Sequence, residues 1–348
     1  MKQALILFIY LITNNLQAQN YQNLVLEGGG IRGVAYCGAI EELERQGVLQ
    51  HITRVGGTSA GAIQASMLAL GFSGVEITEL VNNVKFESFN DGQYIFIGGV
   101  TRTIKRYGWY QGKRFTRWIE KRVETKTGNK DLTLGQLHDL VLGGQGRDLF
   151  VMATNLSQQR AVVLSYQTYP NMRVADAVRA SMSIPLYYNA VFVDSLGRVY
   201  DRPQIDIKTD VLVDSGVTVN YPITIFDQNQ FLTTPDTTQR PDVAVLNSQT
   251  LGLSLDRSEQ IQLNSIVNVN GQGVAPYPIN GFTDYVSAFY NLIMEKVNYQ
   301  NFSPENLKRT ISIDYKNISQ RVRKLSPTEK MTMIDSGREA VKAFKFVN

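Results

Sequence analysis

The stretches EGGGIRG, at Glu27 to Gly33, and GGTSAG, at Gly56 to Gly61, decide the fold of this chain. Each is a glycine-framed loop between a short apolar strand and a helix. The pattern predicts a strand at Asn23 to Leu26 and a helix from Val34 to Gln46, with Gly47 as its stop. The second loop repeats this arrangement, so both loops lie at helix N-termini.

The first loop has the features of an anion site. Backbone N–H groups in the first turn of a helix lack intrahelical acceptors, and the helix dipole adds positive potential there. Glycines let that backbone approach a ligand without a Cβ in the way. The loop can therefore hold an anion or a developing oxyanion. A dinucleotide-binding loop or a plain tight turn has the same pattern, so this loop alone does not decide between them.

The second loop carries a serine side chain, whereas the first loop offers only backbone N–H groups. Thr53 to Val55 is predicted as a strand and Ala60 to Leu70 as a helix, so Ser59 occupies the turn between them. The spacing of Gly57, Ser59 and Gly61 fits G-x-S-x-G, the nucleophile elbow, in which a tight turn projects a serine hydroxyl.

The two loops together favour acyl transfer over dinucleotide binding. A dinucleotide site requires an acidic residue about twenty residues after its glycine loop, at the end of the next strand. Here Val55 is followed by Gly56, Gly57 and Thr58. No carboxylate stands there to bind a ribose, and the nucleophile elbow takes its place.

Histidine is an unsuitable base for Ser59 in this sequence. The chain has two histidines, His51 and His138, and neither follows Asp214. An α/β-hydrolase orders its triad as serine, acid and a late histidine, so that alternative requires His138 as base. His138 lies in a predicted helix, LTLGQLHDL, and His51 lies between a helix end and a strand. We interpret both as structural.

Asp214 is the candidate base. It lies in LVDSGVTVNYP, where Val211 to Val213 form an apolar strand that ends on the carboxylate. A carboxylate is a weak base for a hydroxyl, so a Ser–Asp dyad requires close contact and surroundings that raise its basicity. The alternative is a turn-capping aspartate. Asp194, in FVDSLG, has similar neighbours but lacks the glycine and the Asn-x-Pro that follow Asp214.

These three pieces resemble the patatin-like phospholipase family. The acidic motif matches at Asp214 and Gly216, and further similarity lies in ADAVRASMSIPLYY at Ala175 to Tyr188, in Asn220 and in the closing RTISIDY. The resemblance covers nearly the whole mature chain. The residues that match the glycine loop and the elbow are Gly28, Gly29, Gly30, Arg32, Gly33, Gly57, Ser59 and Gly61.

The resemblance implies a three-layer α/β/α sandwich with a mostly parallel central sheet. It also implies a dyad of Ser59 and Asp214 that cleaves acyl esters of lipids through an acyl-enzyme. In that scheme the backbone N–H groups of Gly29 and Gly30 hold the oxyanion, and Arg32 helps to fix the loop or its charge. The scheme uses no metal or other cofactor, so calcium independence is expected.

One position departs from the family pattern. The family usually has Asp-Gly-Gly or Asp-Gly-Ala, whereas Ser215 occupies the middle place here. If that position requires a positive φ, a serine costs about 1 kcal/mol relative to glycine.

The N-terminus predicts export. Residues 1–18 have the pattern of a secretory signal, with Lys2, an apolar run from Ala4 to Ile12, and a small residue at the cleavage point after Ala18. That run is too short to span a bilayer, and an uncleaved anchor is the alternative. The mature protein is expected to be secreted, periplasmic or associated with the cell envelope. No linker or repeat divides residues 19–348, which predicts a single acyl hydrolase domain.

Residues 101–130 form a basic, aromatic segment. They hold ten lysines and arginines against two glutamates, together with five aromatic residues, although the net charge of the whole chain is only +4. Such a composition suits anionic lipid headgroups and predicts membrane-surface contact. Alternatively, Phe115, Trp118, Ile119 and Val123 form a core-facing helical stripe with the charges on a solvated face. No recognised motif accompanies the charge, so nucleic acid is not an expected partner.

Strand and helix patterns alternate through the rest of the chain, which predicts a helix-covered, mostly parallel sheet. The polar stretch 194–208 is predicted as an inserted hairpin or loop. Further strands are predicted at Leu149 to Ala153, Ala161 to Ser165, Asp242 to Leu246 and Thr310 to Asp314, and helices at Val174 to Ser181, Thr283 to Lys296 and Thr328 to Phe344.

The sequence therefore predicts a secreted serine acyl hydrolase of phospholipase A type, acting on phospholipids or related lipid esters. A non-lipid esterase or thioesterase with the same dyad is one alternative. A catalytically silent lipid-binding protein, in which Ser215 has spoiled the acidic turn, is another.

Overall fold

The structure is a computed structural model that describes residues 21–92, 105–266, 274–298, 303–318 and 322–346. Its strands are β1 (Asn23–Leu26), β2 (Arg54–Thr58), β3 (Gly108–Tyr110), β4 (Asp148–Asn155), β5 (Arg160–Leu164), β6 (Leu186–Tyr188), β7 (Val191–Val193), β8 (Val199–Tyr200), β9 (Asp210–Asp214), β10 (Thr250–Asp256) and β11 (Thr310–Asp314). Its helices are α1 (Ala35–Arg45), α2 (Ala60–Ala69), α3 (Gly74–Asn83), α4 (Lys113–Thr127), α5 (Leu134–Leu142), α6 (Val174–Ser181), α7 (Ser258–Ile266), α8 (Phe282–Asn298), α9 (Pro304–Lys308) and α10 (Pro327–Ala343).

One large sheet organises the fold, with strand order β11-β10-β1-β2-β4-β9-β7-β8 and β5 paired with β4. From β11 to β4 every pairing is parallel. Beyond β4 the pairings are antiparallel. A separate pair, β3 and β6, is parallel. The predicted α/β fold with a large central sheet is confirmed, and the parallel part carries both glycine loops at the carboxyl ends of β1 and β2.

The sheet is buried on both faces. Along β1, Leu24 and Leu26 join the larger apolar core, which also contains side chains of α1, α2, α6 and α10. Val25, between them, points to a smaller cluster with Phe150 and Phe226. Because successive side chains of a strand face opposite sides, this alternation shows that the central strands are covered twice.

Helix starts follow ordinary capping chemistry. The hydroxyl of Thr133 accepts from the N–H of Gln136, whose side chain accepts from the N–H of Thr133 in return. Ser326 and Glu329 form the same reciprocal pair at the start of α10. These bonds satisfy N–H groups that a helix cannot satisfy internally.

The predicted bounds of β1, β11 and α6 are those observed. The strand predicted at Asp242 to Leu246 is wrong, since that segment contributes only an isolated bridge from Ala244 to Gln228. The strands missed are the short β3, β6 and β7 and, next to β1, the longer β10. Its Gly252 lowers strand propensity, yet a side chain there would overlap the hydroxyl of Tyr221.

The predicted insertion 194–208 contains β8, which forms a hairpin with β7 just before it. The predicted signal, residues 1–18, and the first four residues of the basic segment lie outside the described residues. None of the helices described is both long and apolar enough to cross a membrane.

Candidate active site

Ser59 lies in a strained turn between β2 and α2. Its φ of 51° and ψ of −117° fall where residues with a side chain rarely lie, at a cost of about 1–3 kcal/mol. The turn brings backbones into close contact: an added Cβ on Gly57 would lie 2.6 Å from the carbonyl carbon of Gly61, and one on Gly61 would overlap the carbonyl of Leu26. The glycines of G-x-S-x-G therefore permit the turn that projects the serine hydroxyl.

Asp214 ends β9 and meets this serine. The Ser59 hydroxyl lies beside its carboxylate, near enough to favour the ionised form, and the N–H of Gly216 donates a hydrogen bond to it at 2.7 Å. Burial raises the pKa of Asp214 to about 6, although the Ser59 hydroxyl and the Gly216 N–H both act to lower it. The carboxylate is therefore more basic than an ordinary aspartate and in contact with the hydroxyl, which are the two requirements for a Ser–Asp dyad.

The serine at the middle of the acidic motif carries no backbone strain. Ser215 begins a short 3₁₀ turn and its φ is not positive, so the cost expected for a left-handed residue does not arise. Its side chain is fully buried, and its hydroxyl lies 3.3 Å from that of Thr218. The geometry of the Asp214 turn is thus compatible with Ser215.

The first glycine loop is held beside the elbow. Gly28 donates its N–H to the carbonyl of Asn220 and accepts from the side-chain amide of the same residue, at 3.1 Å each. Gly30 has a φ of 55°, which favours glycine. Among the described residues, no acceptor is bonded to the N–H groups of Gly29 and Gly30. Gly33 packs its Cα against Ala60, the first residue of α2. The two unbonded N–H groups remain available to an oxyanion.

Arg32 points away from the serine and anchors the loop. Its Nε donates to the carbonyl of Ile318 at 2.9 Å, and its guanidinium lies 3.7 Å from the ring centroid of Tyr315. Through these contacts Arg32 holds the loop in place.

Three supporting contacts were not predicted as functional. Asn220, noted in the sequence only as similar to the family, donates to the carboxylate of Glu27 at 2.8 Å, which fixes the start of the loop. Glu27 also accepts from the N–H of Leu255, and burial raises its pKa. The hydroxyl of Ser181 accepts from the N–H of Ser59 at 2.8 Å. These contacts join residues far apart in sequence, so no local pattern signals them.

Beside Ser59 lies an apolar cavity of about 90 Å³. The serine and Gly30 form its polar end. Its walls come from separate elements and include aromatic side chains of α4 and of segments before and after it, and Gln64 is a further polar residue of the lining. Its apolar lining residues are Ile31, Val34, Ile63, Val81, Val84, Phe86, Phe89, Phe115, Trp118, Met182, Ile184, Tyr188 and Val322. A hydrocarbon chain fits this lining better than any polar group does.

A sequence model of patatin-like phospholipases matches residues 24–227, which span both glycine loops and the Asp214 motif. The chain belongs to the patatin-like phospholipase family. Membership in this family supports lipid hydrolase function for this chain.

Relatives match over much of the chain, and solved structures have a similar fold. The chain is 27% identical to the uncharacterized protein R571 of Acanthamoeba polyphaga mimivirus, over 92% of each chain. It is 24% identical to the probable lipid hydrolase 463L of Invertebrate iridescent virus 6, over 63% of this chain and 70% of that one. VipD of Legionella pneumophila is similar in structure, with a TM-score of 0.57 at 14% identity over 94% of this chain and 67% of that one. ExoU of Pseudomonas aeruginosa, in its complex with SpcU, has a TM-score of 0.52 at 19% identity; 92% of this chain covers half of that one.

The histidines of this patatin-like chain lie away from Ser59. His138 contacts Asp148 at 2.7 Å and stacks on Tyr166. Asp148 pairs in register with Arg54, at the opposite end of β2 from the serine and roughly 15 Å away along the strand. His51 precedes β2 at that same end, and its ring contacts Gln50.

Asp194 is a turn residue. Its carboxylate accepts from the N–H groups of Leu196 and Arg198, at 2.9 Å each, and from the hydroxyl of Tyr200. Burial raises its pKa, but these hydrogen bonds outweigh burial and the net shift is downward. A carboxylate held in this way is a poor base.

The basic segment is amphipathic where it is described. In α4, Phe115, Ile119 and Val123 are buried in the core, as the solvated-face alternative predicts. The opposite face exposes cations, and membrane contact through 101–130 stays a prediction. The exposed cations of α4 are Lys113, Arg114, Arg117 and Lys121. Across the described residues, no group of three or more His, Cys, Asp or Glu side chains is placed to hold a metal ion.

Proposed function

We propose that this protein is a serine acyl hydrolase that cleaves carboxylic esters of phospholipids or related lipids. The observation that carries the proposal is the placement of Ser59 beside a buried Asp214, next to two unbonded backbone N–H groups and at the end of an apolar cavity. Nucleophile, base, oxyanion donors and acyl site are thereby assembled around one carbonyl position.

In the first half-reaction, the Ser59 oxygen attacks the ester carbonyl carbon while its proton passes to Asp214. The new oxygen–carbon bond forms, the carbonyl electrons move onto oxygen, and the N–H groups of Gly29 and Gly30 stabilise that oxyanion. Collapse of the tetrahedral intermediate breaks the ester bond. The leaving alcohol takes the proton from Asp214, and the acyl group remains on Ser59.

In the second half-reaction, Asp214 accepts a proton from water, which attacks the acyl carbon. The same N–H groups stabilise the second oxyanion. Collapse breaks the bond to Ser59, returns the proton to the serine oxygen and releases a carboxylic acid. Because Asp214 must be ionised to accept each proton, its raised pKa limits activity at acid pH.

The apolar lining of the cavity favours an apolar acyl chain as the group transferred. Each methylene that moves from water into an apolar lining contributes about 0.8 kcal/mol of favourable free energy. Substrate affinity should therefore rise with the length of acyl chain that the cavity buries. A relative named a probable lipid hydrolase favours the same substrate class. A non-lipid esterase with the same dyad remains the second candidate, because the dyad itself does not select an alcohol.

Product analysis separates the candidates. The purified protein is incubated with vesicles of mixed phospholipids and, separately, with short soluble esters, and released acids and lysolipids are identified by mass spectrometry. We expect fatty acid release from vesicles. Hydrolysis of soluble esters alone would favour the non-lipid esterase, and no hydrolysis of either would favour a silent lipid-binding protein.

Two further parts of the proposal come from the sequence. We propose export, because residues 1–18 have a signal pattern. We also propose that the exposed cations of α4 favour anionic lipid surfaces, which a comparison of anionic with zwitterionic vesicles tests.

A further inference from the structure

Among the side chains of α8 that the structure describes, several polar ones are buried and several large apolar ones are exposed. A surface helix ordinarily buries its apolar stripe and exposes its polar face. In α8 the buried side chains include Asn291, Glu295 and Asn298. The exposed ones include Tyr285 and Phe289, at 57% and 60% of their full surface. This inversion leaves a large apolar area unprotected from water.

The exposed residues lie on one side of the helix. Tyr285, Phe289, Leu292 and Ile293 recur at intervals of three and four residues, which places them along a single stripe. Leu292 and Ile293 are exposed by 47% and 39%. We call these four residues the outer face of α8. Lys296 follows one turn later on the same side and is also exposed.

The inner side of α8 contacts both halves of the proposed active site. The amide of Asn298 donates to Glu27, the residue before the oxyanion loop. The Met294 methyl packs against Gly216, two residues after the proposed base. Since a helix with its side chains is about 10 Å across, the outer face lies roughly one helix diameter from these residues.

We propose that the outer face of α8 inserts into a lipid surface and holds the active site there. The inference rests on the proposed function, since an enzyme that cleaves lipid esters must draw its substrate from a lipid aggregate. Aromatic and aliphatic residues beside a lysine match helices that lie in the headgroup region, where rings and a cation are both favoured. This surface differs from the α4 cations, whose helix buries its apolar stripe.

Vesicle binding by the inactive variant Ser59→Ala tests this proposal independently of catalysis. Vesicles of phosphatidylcholine and phosphatidylglycerol are sedimented with Ser59→Ala protein, with and without Phe289→Gln plus Leu292→Gln. Leu142→Gln, which alters an exposed leucine of α5, is the matched control. We expect the double substitution to lower partitioning about tenfold or more and the control to leave it unchanged.

Folding and self-association are followed on the same samples. Thermal unfolding shows whether the double variant is folded, and Phe289→Ala replaces it if it is not. The proposal is overturned if the unsubstituted background does not bind vesicles, if the double variant binds as well, or if the control loses as much. It is also overturned if the lipid-free protein is a dimer that the double substitution separates, since a second copy would then cover the face.

Failure of the proposed function is distinguishable from failure of this inference. Hydrolysis of a short soluble ester depends on the dyad and not on the outer face of α8, and it is measured with Ser59 intact. Vesicle binding without any ester hydrolysis would contradict the proposed function and support a lipid-docking role for the outer face of α8. Ester hydrolysis without vesicle binding would keep the dyad and remove the face.

Discussion

Replacing Asp214 with asparagine is expected to lower activity and raise stability at the same time. The amide cannot accept the serine proton, so kcat should fall by about two to four orders of magnitude, the usual contribution of a positioned general base. The side chain keeps its size and can still accept from Gly216. KM should change much less than kcat, because the cavity that binds the acyl group is untouched.

The gain in stability follows from the pKa of Asp214. Burial raises that pKa to about 6, against about 3.9 for an unfolded aspartate. The folded state therefore binds the proton more tightly, and ionisation costs stability as pH rises from about 4 to about 6. About two units at 1.36 kcal/mol each make the full cost about 3 kcal/mol. Asp214→Asn avoids this cost, so its free energy of unfolding should exceed that of the wild type by about 3 kcal/mol at pH 8 and by about zero at pH 4.

Urea unfolding of both proteins between pH 4 and pH 8 measures this difference. Asp194→Asn is the control, because hydrogen bonds lower the pKa of Asp194 and ionisation there stabilises the fold. That variant should be less stable than the wild type at neutral pH, with a gap that closes on acidification, and should retain activity. A stability difference for Asp214→Asn that does not vary with pH, or a dead Asp194→Asn, would refute the reasoning.

Other changes have distinct expected outcomes. His51→Ala and His138→Ala should leave most esterase activity in place, and a loss of about a thousandfold in a folded variant would support a histidine triad instead. Asn220→Ala removes the bonds from its side-chain amide to Gly28 and Glu27, so kcat should fall about ten- to a hundredfold with little change in KM; a larger effect on KM would contradict a positioning role. Val84→Phe should fill the cavity and lower kcat/KM for long-chain esters about tenfold or more, while short-chain esters react at the wild-type rate. An equal loss on both ester lengths would place the acyl chain elsewhere.

Local sequence predicts the elbow and the glycine loop because each is a short segment whose geometry depends on its own glycines. The partner of Ser59 was predicted from a strand that ends on Asp214, and the two residues do meet. The role of Asn220 in holding the glycine loop was not predicted, since its side-chain amide donates to the carbonyl of Gly28, 192 residues away. Contacts between residues so far apart depend on the order of strands in the sheet, and no local periodicity in the sequence encodes that order.

The helix α8 shows a second limit of sequence reasoning. Its apolar spacing predicts a helix at Thr283 to Lys296, within two residues of the observed bounds. An apolar stripe on a helix ordinarily faces the core, whereas here Tyr285, Phe289, Leu292 and Ile293 are exposed and Asn298 bonds to Glu27 inside the site. Only the packed structure shows which face of a helix its neighbours cover.

The central claim, that Ser59 is the nucleophile of an acyl hydrolase and Asp214 its base, is tested most directly by covalent trapping. The protein is treated with a fluorophosphonate bearing an alkyl chain, and the modified peptide is identified by mass spectrometry. We expect one adduct, on Ser59, that is absent from Ser59→Ala and forms about a hundredfold or more slowly in Asp214→Asn. An adduct on another residue, or none on folded wild-type protein, would contradict the claim.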